Sequence, residues 1–238
     1  MKLSVRLLVL LWLLVWMPSP ARAWESTSEL VMGTARCMER GAMMVGILTP
    51  LGYGITESVT VFTSPIVALL LTPNLQVRVG AWQTPQTAVA IELGYQQSFL
   101  SMQQGDHDYP GFVQGGLAWS RTLRGDLQAT LAAGYESPFG SAGQESENRI
   151  YYRAGLDYLI NQSDLLMLRL HGALGFSPFL PTSQTLMAVY AHEFGRAHIG
   201  VGLAVGDFPV STSRDSAGAI DKSTNLPLFP WLDFWWSF

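Results

Sequence analysis

Over long stretches of this chain, apolar residues recur at every second position. From Leu127 one set reads Leu127, Ala129, Leu131, Ala133 and Tyr135, and the set between reads Gln128, Thr130, Ala132, Gly134 and Glu136. Val113, Gly115, Leu117 and Trp119 alternate likewise with Gln114, Gly116, Ala118 and Ser120. Ile150, Tyr152, Ala154, Leu156, Tyr158 and Ile160 alternate with Tyr151, Arg153, Gly155, Asp157 and Leu159. Two further runs set Leu166, Leu168 and Leu170 against Met167, Arg169 and His171, and Ile199, Val201, Leu203 and Val205 against His198, Gly200, Gly202 and Ala204. A period of two belongs to strands. Candidate strands fall near residues 41–49, 56–63, 74–83, 87–99, 111–123, 127–136, 148–160, 165–176, 184–194, 196–207 and 228–238.

Connections between these candidates alternate between very short and long. Short ones lie at Thr84 to Gln86, Arg124 to Asp126, Asn161 to Asp164, and Gly195-Arg196. Long ones lie at Leu100 to Pro110, Ser137 to Glu147, Ser177 to Ser183, and Phe208 to Leu226. Short turns at one end and long loops at the other are the habit of outer-membrane barrels, whose turns face the periplasm. The polar clusters Asp106-His107-Asp108 and Ser211 to Ser216 then read as solvated loop tips.

Composition decides which solvent the apolar set meets. Hydrophobic residues make up 48% of the chain and charged residues only 13%, about half the usual charged share of soluble domains. That is too little charge to clothe a water-facing surface. Beyond residue 23 the longest apolar run, Ile66 to Leu71, is far shorter than the roughly 20 residues a spanning helix needs. Only helices and closed barrels satisfy their backbone groups in lipid. The expected fold class is therefore all-β, a transmembrane antiparallel up-and-down β-barrel of 10 to 12 strands. An even count requires either that the first candidate is not a full strand or that Ile66 to Leu71 hides another.

The chain opens with Lys2 and Arg6, an apolar run from Leu7 to Trp16, then Pro18, Pro20 and Ala21-Arg22-Ala23. That pattern is a secretory signal peptide with an Ala-x-Ala cleavage site, so the mature chain is expected to begin near Trp24. The expected organisation is residues 1–23 as signal peptide, 24–40 as a periplasmic or lumenal N-terminal arm, and 41–238 as the barrel. Pro65 to Pro73 reads as a short plug helix or a loop. One cysteine, Cys37, excludes a disulfide scaffold. A net charge of −4 argues against nucleic acid as a partner.

At the end of the chain Leu232, Phe234, Trp236 and Phe238 recur at every second position, and the chain stops on Phe238. This resembles the C-terminal β-signal that outer-membrane proteins present to the barrel-assembly machinery. The resemblance implies Sec-type export, an outer-membrane location in a Gram-negative bacterium, and an assembly role for those four positions. Pro230 and the lack of the usual glycine depart from the pattern. Tyr53-Gly54-Ile55-Thr56-Glu57 resembles a turn found between strands in many uncharacterised outer-membrane proteins. Neither resemblance names a substrate.

The expected lumen lining holds Arg78, Glu92, Glu136, Arg153, Asp157, Arg169, His171, His198 and Asp233. Charges of both signs on an inward face read first as a salt-bridge network. Hairpin register places Arg78 opposite Glu92 and Asp157 opposite Arg169, and a slip of two residues would leave either pair diagonal, which a long arginine side chain still bridges.

The expected function is an integral outer-membrane barrel with a structural or surface-exposed role and a narrow channel as its extension. The alternatives are a lipid-modifying enzyme and a soluble barrel binding a lipophilic ligand. No histidine shows the His-x-Ser spacing of a strand-borne nucleophile and base, so no catalytic residue is assigned. Asp106-His107-Asp108 lacks a fourth partner, so no metal site is assigned, and no cofactor is expected. Arg124-Gly125-Asp126 and Asn161-Gln162-Ser163 are explained by tight turns rather than by adhesion or glycosylation. The expected partners are outer-membrane lipids and the assembly machinery, with any soluble partner left open.

Overall fold

The computed structural model describes residues 24, 26–69, 71–97, 99, 111–139, 148–175, 183–214 and 220–238. Twelve strands form one closed antiparallel barrel: β1 (Met43–Gly46), β2 (Leu51–Thr56), β3 (Val59–Thr63), β4 (Asn74–Gln83), β5 (Thr87–Gln97), β6 (Gly111–Arg124), β7 (Leu127–Phe139), β8 (Arg149–Asn161), β9 (Asp164–Gly175), β10 (Ser183–Phe194), β11 (Ala197–Arg214) and β12 (Ile220–Ser237). Each strand pairs with its neighbours in sequence, and β1 closes the ring on β12 through Met44 opposite Ser237. Closure leaves no sheet edge unpaired, which is what lets strands lie in lipid. No described helix is long and apolar enough to cross a membrane.

Alternation maps onto the two faces of the wall. Leu131 and Tyr135 point outward and are about half exposed, whereas Gln128 and Thr130, earlier in the same strand, are buried inside. Leu156 and Tyr158 are exposed on β8 while Asp157 is fully buried, and Val201 and Leu203 are exposed on β11 while Ala204 is buried. An apolar exterior around a polar interior is the arrangement lipid requires and the reverse of a soluble barrel.

Three expectations need correction. The twelfth strand is β2, and it contains Tyr53-Gly54-Ile55-Thr56, which looked like a turn. Only Glu57 and Ser58 turn, and the strand went unseen because glycines at positions 52 and 54 blur its alternation. Those glycines are needed, because a Cβ on Gly54 would lie 2.0 Å from the Glu39 carbonyl oxygen. The apolar run at 66–71 hides no strand. Pro65–Leu69 is a short helix, α1, in the β3–β4 connection at the end opposite the tight turns. Finally, much of the expected loop from Phe208 to Leu226 is ladder, for Phe208 pairs with Leu226 and Thr212 with Ser223. The loop tip Asp106-His107-Asp108, residues 215–216 and most of the other long connections lie outside the described residues.

The arm contributes to both buried clusters of the barrel. After Trp24 a short 3-10 turn, Thr27–Glu29, is capped by the Ser26 hydroxyl, and the chain then runs through the lumen to β1. Leu30 and Met38 pack with Trp24, Phe62, Met167, Val189 and Trp235 in one buried apolar cluster. Ala35 fits a patch of small wall residues, Ala88, Ala90, Ala118 and Ala132. The inward alanines of β5, β6 and β7 thus leave the room that the arm occupies.

The outward assignment predicts a depth-dependent cost for charge on the exterior. Leu131→Arg, near the middle of β7, should destabilise the folded protein in bilayers by about 2–4 kcal/mol, and Leu123→Arg beside the turn by about 0–1 kcal/mol. Denaturant titration in lipid vesicles measures both, and equal costs would contradict the assignment.

Candidate functional site: the lumen and the arm within it

β4 and β5, joined by a tight turn, set Arg78 directly opposite Glu92. Arg78 Nε donates to Glu92 Oε1 at 3.0 Å, and Arg78 Nη2 lies 2.9 Å from the same oxygen. Arg153, reaching from β8 across the lumen, donates through Nη2 to both oxygens of Glu92 at 3.1 and 3.2 Å. One carboxylate therefore serves two guanidiniums. On β8 and β9, Asp157 stands opposite Met167 and Arg169 opposite Gly155, so this pair is diagonal by two residues. The offset follows a register shift between Leu159 and Asn161 beside the turn. Arg169 bridges it and donates to Asp157 Oδ1 through Nη2.

These arginines also hold the arm. Arg78 Nη1 donates to the carbonyls of Val31 at 3.1 Å and Arg36 at 2.8 Å, and Arg169 Nη2 donates to Met32 at 3.4 Å. Gly33 sits where Arg169 crosses the arm. Its φ of +73° is in the left-handed region, and a Cβ there would lie 2.7 Å from Arg169 Nε. Both facts call for glycine. Bonds in the opposite sense run from the arm to the wall. Arg36 donates to Gln128 Oε1 at 3.1 Å and to the turn carbonyls of Thr84 and Pro85 at 2.9 and 2.8 Å. The backbone N–H groups of Ala35 and Met38 donate to the hydroxyls of Ser120 and Thr60 at 2.7 and 2.8 Å. Thr27 N–H reaches the Gly125 carbonyl and Trp24 N–H the Gln162 carbonyl. Those contacts place the arm across the tight-turn end of the lumen.

Other residues of the expected lining have different partners. Asp233 binds backbone rather than a cation: it accepts from the N–H groups of Leu48, Thr49 and Phe234 at 2.9, 2.7 and 2.8 Å and from the Thr49 hydroxyl. It pins the β1–β2 connection to the wall. His198 is buried between the rings of Trp24 and Trp235, at centroid distances of 5.3 and 5.0 Å, with Nε2 3.7 Å from Glu193 Oε2. Glu136 stands opposite Arg149, away from the arm. His171 lines, with Met32, Phe62, Arg153 and Trp231, a cavity of about 200 Å³ on the far side of the arm from the tight turns.

The arm's receptors on the wall, Ser120, Gln128 and Thr60, had no assigned role in the sequence. Their strand parity marks them as inward, but only the arm's path gives them a role. At the tight-turn end the exterior carries a further polar set, in which His192 Nδ1 lies 2.6 Å from Asp164 Oδ1 and the Tyr190 hydroxyl donates to the same oxygen. Asn161 joins it by donating to Asp164, and Ser163 of the same turn joins through its backbone N–H, which donates to Asn161 Oδ1 at 2.8 Å. Within the Arg124-Gly125-Asp126 turn, hydrogen bonds from Arg124 hold the Asp126 carboxyl below the usual carboxylate range. The described residues contain no cluster of three or more candidate metal ligands.

No family model and no curated protein matches the chain. Among solved structures it is similar to OmpT, an outer membrane protein of Vibrio cholerae, in its in-vitro folded trimer form, with a TM-score of 0.47 and 10% identity over 82% of this chain and 64% of that one. For the outer-membrane expressed OmpT of the same organism the values are a TM-score of 0.47 and 11% identity, covering 79% and 64%. The chain spans 64% of the length of these proteins.

The shared carboxylate makes Glu92 the costliest single charge to remove, since Glu92→Gln leaves the buried guanidinium of Arg78 and the partly buried one of Arg153 with no anion. Loss of one partner from a buried pair costs about 3–5 kcal/mol, so the midpoint of unfolding in denaturant should fall accordingly. Arg124→Ala, in an exposed turn pair, should leave the midpoint unchanged. A Glu92→Gln midpoint equal to that of the native chain would contradict the network.

Proposed function

We propose that this chain is an integral outer-membrane protein with a structural or surface-exposed role, held closed by its own N-terminal arm, and that departure of the arm opens a narrow channel. The observation that carries this reading is the pairing of an apolar exterior with a polar lumen in which residues 24–42 are hydrogen-bonded across the tight-turn end. A 12-strand barrel is narrow compared with a porin of 16 strands, so one irregular segment is enough to obstruct it. Residues 1–23 act as the export signal and are removed before Trp24. The outward residues Leu232, Phe234 and Trp236 of β12, with Phe238 just past its end, present the assembly signal, and the tight turns face the periplasm. Its standing partners are outer-membrane lipids, with the barrel-assembly machinery engaged during insertion.

A lipid-modifying enzyme is the second reading, supported by the His192–Asp164 pair on the exterior, where a headgroup could reach it. A base without an adjacent nucleophile is only part of such a site. Lipid analysis of membranes containing His192→Ala against native protein separates the two. A soluble barrel for a lipophilic ligand has nothing in its favour on this exterior.

Conductance in planar bilayers tests the main reading. Native protein should be silent or show rare brief openings, whereas a chain lacking residues 24–40 should show sustained discrete steps. Equal conductance from the two would refute the arm as the closing element.

A further inference from the structure

Glu193 is an inward carboxylate on β10 whose side chain is 3% exposed. Neither of its oxygens has a hydrogen-bond partner among the described residues. His198, directly opposite across the Gly195-Arg196 turn, does not satisfy it, because 3.7 Å is beyond hydrogen-bond distance. A buried carboxylate without donors is costly, and such a group calls for a cation.

Apart from His198, a group brought to the same turn that is able to become one is the backbone nitrogen of Trp24. Trp24 N–H donates to the Gln162 carbonyl at 3.0 Å, and Glu193 N–H donates to the next carbonyl of the same turn, Ser163, at 2.9 Å. The Trp24 ring stacks on the His198 ring, which itself neighbours Glu193. As a peptide nitrogen, Trp24 N has one N–H and no charge, and that N–H is already used.

We propose that Glu193 is the receptor for the chain's own amino terminus: hydrolysis of the Ala23–Trp24 bond creates an ammonium that pairs with Glu193 and locks the arm into the lumen. This rests on the reading of residues 1–23 as a removable export signal. In the cleavage, water supplies hydroxyl to the Ala23 carbonyl carbon and a proton to the Trp24 nitrogen, and protonation at neutral pH makes that nitrogen an ammonium. One of its three N–H groups keeps Gln162 and two are free for the carboxylate. The lock therefore forms only in the processed chain, so the export peptidase sets the closed state.

Cys37, the chain's one cysteine, reports on the arm. Its Sγ lies 3.4 Å from the Ser58 carbonyl, and burial pushes the thiol pKa up, so a seated arm should react slowly with maleimide. The full chain is exported, purified from outer membranes and compared with Glu193→Gln, with one glycine inserted between Ala23 and Trp24, and with both changes together. Intact mass gives each amino terminus, and a heat-modifiability gel confirms that each barrel is folded. The native chain should begin at Trp24. Each single change should speed Cys37 alkylation at least about tenfold, a floor well below what breaking a buried charge pair implies, and the double change should add nothing further. If Glu193→Gln does not fold, the glycine insertion, which leaves the barrel untouched, carries the comparison alone. A native terminus elsewhere overturns the cleavage reading and the lock with it. A native terminus at Trp24, with the glycine-extended chain alkylated at the native rate, overturns the lock alone, as does acceleration by Glu193→Gln without acceleration by the insertion.

Discussion

The interior depends on satisfying its arginines. Arg78, Arg153 and Arg169 point into one lumen and share two carboxylates, Glu92 and Asp157. Each guanidinium carries five N–H donors, so two carboxylates leave donors over. The arm takes several of them, through the carbonyls of Val31, Met32 and Arg36. Irregular backbone at membrane depth is in turn tolerated only where protein groups or a water-filled cavity satisfy it. Arm and network are therefore interdependent: without the arm the arginines lose acceptors, and without the arginines the arm's carbonyls lose donors.

This interdependence fits a closed resting state that can be opened. The arm crosses the lumen without joining a strand ladder until β1, and it is held by separate hydrogen bonds to Ser120, Gln128, Thr60 and the turn carbonyls. Such bonds can be exchanged for water in a hydrated lumen, whereas ladder bonds in lipid cannot. The alanine patch around Ala35 is smooth and small, so leaving it costs little packing compared with withdrawing the Trp24 ring from His198. Resistance to opening is thus concentrated at the chain's beginning.

Much of the wall was legible in the sequence because its cause is local. A period of two fixes the face of Leu131 against Gln128 whatever the partner strands are. The tight turn at Thr84 to Gln86 then sets Arg78 against Glu92 by counting. The offset of Asp157 from Arg169 depends on an irregularity beside the turn, which counting does not contain. The glycines of β2 hid a strand because they remove the side chains that make alternation visible. Asp233 appeared as an ionic residue, and only the fold brings the Leu48 and Thr49 N–H groups to it. The arm's path lay furthest from view, since it is set by contacts such as that of Ala35 with Ser120, 85 positions apart, and no periodicity encodes those.

The central claim, that the arm lies inside the barrel, is tested most directly by the contact between Ala35 N–H and the Ser120 hydroxyl, 2.7 Å long. Ala35→Cys and Ser120→Cys would be combined in a Cys37→Ser background and the protein oxidised while still in outer membranes. The account predicts a disulfide within one chain, seen as a reducible shift on a denaturing gel and as loss of both thiols to maleimide. Two thiols that stay free and alkylate rapidly in a folded barrel would contradict it.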